Sequence, residues 1–227
     1  METDENKYKI AIIGGTGKEG KGLAYRWVQA GHHIIIGSRI IEKAQKTVDE
    51  LKIILPESTN IEGMENHKAV ESCEIAVITV PFAAHQSILC ELKEALSGKI
   101  LIDVTVPINP PKVTRVWMPP EGSAALQALS ILGENAKVAS AFQNISYERL
   151  MSGDEIECDV LVCGNGKELR QTVINLVKDA GLQAWDAGPL ENSMVVEGLT
   201  SILIGLNIQH KVPSSGIRIT GINAKNE

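Results

Sequence analysis

Lys9-Ile-Ala-Ile-Ile-Gly-Gly-Thr-Gly-Lys-Glu-Gly20 is the stretch whose reading decides the fold. Ile10 to Ile13 are continuously apolar and predict a buried strand, and Leu23, Trp27 and Val28 fall at the spacing of a following helix. Between them Gly15, Gly17 and Gly20 match G-x-G-x-x-G, and Gly14 adds backbone freedom. In a dinucleotide site the first glycine allows the tight turn, the second admits the pyrophosphate, and the third lets helix and strand pack closely. The amides at the helix start then meet the phosphates with the favourable end of the helix dipole. Glycine turns after strands are common, so the motif draws its weight from the strand before it and the helix after it.

Working outward, a helix spans about Lys18 to Ala30 and stops at Gly31, and His33 to Arg39 predicts a second buried strand. Sites for NAD place an acid at the end of that strand to bond the ribose hydroxyls, whereas sites for NADP place cations there. This chain has Ser38 and Arg39, then Lys43 one turn into the next helix, which covers Ile41 to Ile54. A guanidinium matches a phosphate in bidentate fashion and a hydroxyl adds a donor. The plainer reading of these residues is a solvated strand end.

Strands and helices go on alternating. A turn at Pro56-Glu-Ser58 and a short segment Asn60 to Met64 precede strands at Glu74–Pro81, Lys99–Val106, Lys137–Phe142, Asp159–Gly164 and Leu182–Ala187. Helices are expected from His85 to about Leu96, over Ala124–Leu132 with Ser123 as cap, over Lys167–Ala180, and from Leu190 to His210. That alternation predicts an α/β, Rossmann-like, doubly wound and mainly parallel sheet. Residues 1–145 read as an NADP-binding Rossmann domain, and residues 146–227 as a small helical and extended part that completes the sheet and a second ligand's pocket. Phe82 and His85 fall at the carboxyl edge, where ligands of open α/β sheets bind. A lone histidine there is more often structural than catalytic. The polar run Gln143 to Ser146 either contacts a nicotinamide or caps the next helix. In the last long helix Leu199, Ile202, Leu203 and Leu206 form a stripe expected to face the core. Gly198 and Gly205 share another face, read either as close helix packing or as space for a flat ring. The tail Pro213–Ile222 is too apolar to be free in water.

A net charge of −6 without a basic block argues against nucleic acid as a partner. The four cysteines form no C-x-x-C pair, which disfavours zinc and a disulfide framework and points to a reducing cytoplasm. The polar Met1–Asn6 start is unlike a signal peptide, and the apolar run Met194–Ile208 is too short to span a bilayer. A cytoplasmic protein without a membrane partner is expected.

Several stretches together resemble one family, the NADPH-dependent coenzyme F420 reductases. They are Gly14-Gly-Thr-Gly-Lys-Glu-Gly-Lys-Gly-Leu-Ala24, Gly37-Ser-Arg39 with Glu42-Lys-Ala44, Thr79-Val-Pro81, Gly122-Ser-Ala-Ala125, Asp159-Val-Leu-Val-Cys-Gly164, Asp186-Ala-Gly-Pro-Leu190 and Gly216-Ile-Arg-Ile-Thr-Gly-Ile222. The resemblance implies hydride transfer between NADP(H) and the deazaflavin coenzyme F420, in a homodimer. It implies that Thr16, Gly17, Lys18 and Glu19, after the cofactor-site turn at Gly15, hold the pyrophosphate, and that Ser38, Arg39 and Lys43 take the 2′-phosphate. Val80, Pro81, Val106 and the stretch from Gln143 through Ile145 to Tyr147 would line the nicotinamide, and Thr200 would help to hold the deazaflavin's side chain. The tail from Gly216 would lie close to its ring.

Where this chain has Gln143 the family commonly has His, and some members have Arg and Ser at the places of Met194 and Gly198. Those changes leave fewer charge-assisted bonds for an anionic side chain. The rivals are an NADPH reductase of the same fold using FAD, FMN or a ferric acceptor, a non-enzymatic NADPH sensor, and an imine or keto-acid reductase. In the hydride-transfer reading the two rings carry the reactivity, so no catalytic acid, base, nucleophile or metal is nominated.

Overall fold

The computed structural model describes residues 7–57, 60–152 and 155–222. The acidic start Met1–Asn6 and Ser58 of the expected turn lie outside them. In chain order the elements are β1 (Lys9–Ile13), α1 (Lys18–Gln29), β2 (His33–Ser38), α2 (Ile41–Ile54), β3 (Ile61–Glu65), α3 (Asn66–Glu71), β4 (Ile75–Ile78) and α4 (Phe82–Leu92). There follow β5 (Ile100–Asp103), α5 (Ala124–Leu132), β6 (Lys137–Ser140), α6 (Tyr147–Met151), β7 (Asp159–Gly164), α7 (Lys167–Asp179), β8 (Gln183–Gly188) and α8 (Ser193–His210).

All eight strands form one sheet in the order β3-β2-β1-β4-β5-β6-β7-β8, and only the β6–β7 pair is antiparallel. Helices cover both faces, which is why the central strands are continuously apolar. Ile10 and Ile12 belong to one core with Trp27 and Phe142, while Ala11 and Ile13 belong to the other with Leu89 and Val138. Trp27 is fully buried, meets Phe142 edge-on at 5.7 Å, and donates its indole N–H to the Leu176 carbonyl at 2.8 Å. β7 pairs with β6 only at Ser140–Cys163 and Ala139–Gly164, so its start at Asp159 lies beyond the carboxyl end of β6. The tail docks on that start: Asp159 N–H donates to the Ile217 carbonyl at 2.7 Å, and Ile219 N–H donates to Asp159 Oδ2 at 2.8 Å.

Four expectations change. The segment expected at Asn60–Met64 is a further strand, β3, which runs to Glu65 at the sheet edge beside β2. The fourth helix begins at Phe82, just after Pro81, and ends at Leu92, so His85 is a buried residue within it. Proline's fixed φ suits the approach to a helix, which explains the earlier start. The stripe on α8 does not face the core as a whole: Leu203 is buried, but Ile202 is 50% and Leu206 39% exposed. The space beside Gly198 and Gly205 is filled by Thr114, Val116 and Met118 of the preceding irregular loop. Among the described residues no helix is long and apolar enough to cross a membrane.

Candidate functional site

Strand order reverses between β1 and β4, and a cleft of about 600 Å³ opens there at the carboxyl edge. Such a reversal is where open α/β sheets bind ligands, and the volume lies within the roughly 300–1,000 Å³ of cofactor pockets. The β1–α1 turn forms its floor. Gly14 sits at φ +79°, where a side chain is strained, and a Cβ there would lie 2.9 Å from Val80. A Cβ on Gly20 would lie 2.6 Å from the Gly15 Cα, so α1 closes tightly onto the turn. Gly17 caps α1 without a side-chain acceptor, which leaves first-turn amides available to an anion.

Thr16, Gly17, Lys18, Glu19, Ser38, Arg39, Lys43, Val80, Pro81 and Val106 all line this cleft. Gly15 does not; Gly14 takes its place at the surface. At the β2 end Arg39 and Lys43 are exposed, and neither forms an ion pair with the described residues. Ser38 Oγ accepts the Ile40 N–H at 3.2 Å, which shapes that corner. Lys18 leans toward α6 and donates to the Tyr147 hydroxyl at 2.8 Å, a bond that holds its pKa up. Glu19 Oε1 is buried without a partner, and burial pushes this carboxyl up to about 8.

The other end of the cleft is apolar, with Val80, Pro81, Val104 and Val106. Behind it lies a fully buried polar cluster. His85 Nε2 is 2.7 Å from Asp103 Oδ2, and its Nδ1 is 3.0 Å from Gln127 Oε1. The Gln127 amide donates in turn to Glu121 at 3.3 Å, so both imidazole nitrogens face acceptor oxygens, an arrangement that favours the charged ring. Burial works against that charge, and the Asp103 carboxylate overcomes it, holding the His85 pKa up. The same carboxylate takes the Thr105 N–H at 2.9 Å, which fixes the strand end that lines the cleft.

Glu197 of α8 accepts the Ala124 and Ala125 N–H groups at 2.7 and 3.2 Å, joining α8 to the start of α5. Burial, reinforced by Asp103, pushes Glu197 up to about 8 from an ordinary 4.5 despite those bonds. The folded chain therefore holds a proton there that the unfolded chain releases between those values. Stability conferred by that proton falls as pH rises toward 8, by about 1.4 kcal/mol per pH unit within the window. Urea titrations of the wild type and Glu197→Gln at about pH 6 and about pH 8 are expected to show a shallower loss in the variant. Equal losses would remove the assignment.

Gln143, Ile145 and Thr200 lie outside the cleft. Gln143 donates to the Asp103 carbonyl at 2.8 Å, and Thr200 donates to the Gln143 carbonyl at 2.8 Å. Ile145 is buried. The Thr200–Gln143 bond pins α8 to the segment after β6. Sequence reasoning did not nominate Asn66 or Thr105, which follow strands without any motif of their own, and took from the stretch Thr79-Val-Pro81 only Val80 and Pro81, although Thr79 also lines the cleft.

Residues 9–107 match the family model described as "NADP oxidoreductase coenzyme F420-dependent". An F420-dependent NADP reductase of Methanocaldococcus jannaschii is 41% identical over 222 residues, covering 94% of this chain and 99% of that protein. The chain belongs to the F420-dependent NADP reductase family. The Methanothermobacter marburgensis reductase is 39% identical over the same shares. A metalloreductase of Rattus norvegicus is 30% identical, but the match covers only 37% of its length. The crystal structure described as a putative F420-dependent NADP reductase from Arthrobacter shares the fold, with a TM-score of 0.78 at 24% identity, covering 94% of this chain and all of that one. A family of NADP reductases accounts for a cleft with a glycine turn at one end, two unpaired cations at the β2 corner and an apolar far end.

Proposed function

We propose that this protein transfers a hydride between NADP(H) and coenzyme F420, acting as a cytoplasmic homodimer. The nucleotide half of the reading is carried by one observation: β2 ends at Ser38, followed by Arg39 with Lys43 one turn on, and the acids among the described residues lining the cleft are Glu19 and Glu91, which belong to other elements. A 2′-phosphate would find two free cations there, where a carboxylate would repel it. The F420 half follows from the reductases that match the chain over nearly its full length, which also disfavour a flavin or ferric acceptor.

In this reading the uncapped start of α1, with Thr16, Gly17 and Lys18, holds the pyrophosphate, and Glu19 offers a protonated carboxyl beside it. Val80, Pro81 and Val106 hold the nicotinamide in an apolar setting that excludes water. The two rings supply the redox chemistry, and the protein supplies distance, stacking and electrostatics. Gln143, Ile145 and Thr200 act by fixing α8, which forms the wall on the acceptor's side. The homodimer reading draws on the outward α8 stripe of Val195, Ile202 and Leu206, which a second copy would cover.

Anaerobic mixing of the purified protein with NADPH and oxidised F420 is expected to give saturable loss of both absorbances. Parallel runs with FAD, FMN or no acceptor are expected to be slow. Tight NADPH binding with no F420 turnover would overturn the reading and favour a sensor.

A further inference from the structure

Asn66 is 6% exposed, lines the cofactor cleft, and has an amide oxygen that is buried without a hydrogen-bond partner. Asparagine at the start of a helix ordinarily serves as a cap. Here Asn66 is the first residue of α3, one past the cap position held by Glu65, so capping does not account for its side chain. A buried amide oxygen left unpaired costs on the order of 1–3 kcal/mol, which a structural role would have to offset. Its place in the sheet suggests what it is for. Glu65 pairs with Ser38 across the β2–β3 ladder, so Asn66 stands one residue beyond, at the corner held by Ser38, Arg39 and Lys43. Gly37 lets it come close: a Cβ on Gly37 would lie 3.0 Å from Asn66 Oδ1.

We infer that the Asn66 carboxamide binds the 2′-phosphorylated ribose of the nucleotide and is a determinant of NADP over NAD. This rests on the reading of the cleft as an NADP site. A carboxamide offers both a donor and an acceptor without charge. Its oxygen can therefore accept from a ribose hydroxyl and its N–H can donate to a phosphate oxygen, where an aspartate would repel the phosphate. The neutral amide does for a phosphorylated ribose what an acid does for the free diol.

The test uses the full chain and reads dissociation constants for NADPH and NADH by titration. Asn66→Asp is close to isosteric, so it keeps the packing while exchanging a donor for a negative charge. NADPH is expected to bind roughly 30-fold more weakly to this variant, while NADH binds as before or better, given the strength of hydrogen bonds to charged groups. Asn66→Ala, titrated well below its melting midpoint, is expected to lose roughly tenfold toward NADPH. NADPH affinity within about twofold of wild type in the Asp variant would overturn this inference alone. Equal losses for both nucleotides in the Asp variant would also overturn it, because they mark a purely structural defect. A wild-type protein that fails to bind NADPH would instead overturn the reading of the whole site.

Discussion

Replacing Arg39 with alanine is expected to weaken NADPH binding by roughly tenfold to a hundredfold, the range for a lost charge-assisted pair with phosphate. NADH, which has no 2′-phosphate, is expected to change little. The asymmetry follows from the surroundings of the side chain. Arg39 is exposed and makes no ion pair with the described residues, so its removal leaves no buried partner unsatisfied and no cavity. A loss of fold stability is therefore not expected to contaminate the result. Lys43 stands nearby and retains part of the attraction, so the double change Arg39→Ala with Lys43→Ala is expected to exceed either alone. Titration of each variant with both nucleotides decides the matter. Equal losses for NADPH and NADH would remove the 2′-phosphate from this corner.

A charge at the middle of the α8 stripe is expected to separate the homodimer proposed above. Ile202 is 50% exposed on an 18-residue helix, with Val195 at 68% and Leu206 at 39% along the same face. Burying such a side chain contributes about 1.5–3 kcal/mol, and a two-fold interface counts every substitution twice. Ile202→Asp also places a carboxylate where it must be desolvated. Together these effects are expected to raise the dimer dissociation constant by about a thousandfold or more, with roughly 1.4 kcal/mol per factor of ten. Sedimentation equilibrium at micromolar protein measures this directly. Ile53→Asp, on the 80%-exposed surface of α2, serves as the control that leaves assembly intact. A wild type that sediments as single chains would discard the assembly altogether.

The parts of this molecule that were legible in its sequence are those whose reasons are local. The β1–α1 turn could be read because glycine spacing, strand and helix all lie within a dozen consecutive residues. The β2 corner could be read because the decisive residues, Ser38, Arg39 and Lys43, follow the strand directly. Other features had reasons elsewhere in the chain. Ile61–Glu65 carries two acids and a glycine and resembles a loop; it is an edge strand because β2 pairs with it and because α2 packs closely over Gly63. The α8 pattern announced an amphipathic helix but not which neighbour each face would meet. Its inner face keeps Ser193, Glu197 and Ser201 buried through bonds or contacts with distant residues, which periodicity cannot foresee. His85 and Asp103 lie eighteen positions apart and meet only because β5 runs beside β4.

Every residue that lines the nucleotide cleft falls between Gly14 and Ile108. The family model ends at almost the same place, at residue 107. The segment after β6, the projecting end of β7, helix α8 and the tail are encoded wholly downstream. In the proposed reading, the nucleotide half of the reaction is thus written in the first stretch and the acceptor half in the second. On that reading, substitutions that spare Tyr147 and Gln143, which bond Lys18 and the Asp103 carbonyl of the first stretch, can retune the hydride's other partner while the nucleotide preference is inherited unchanged.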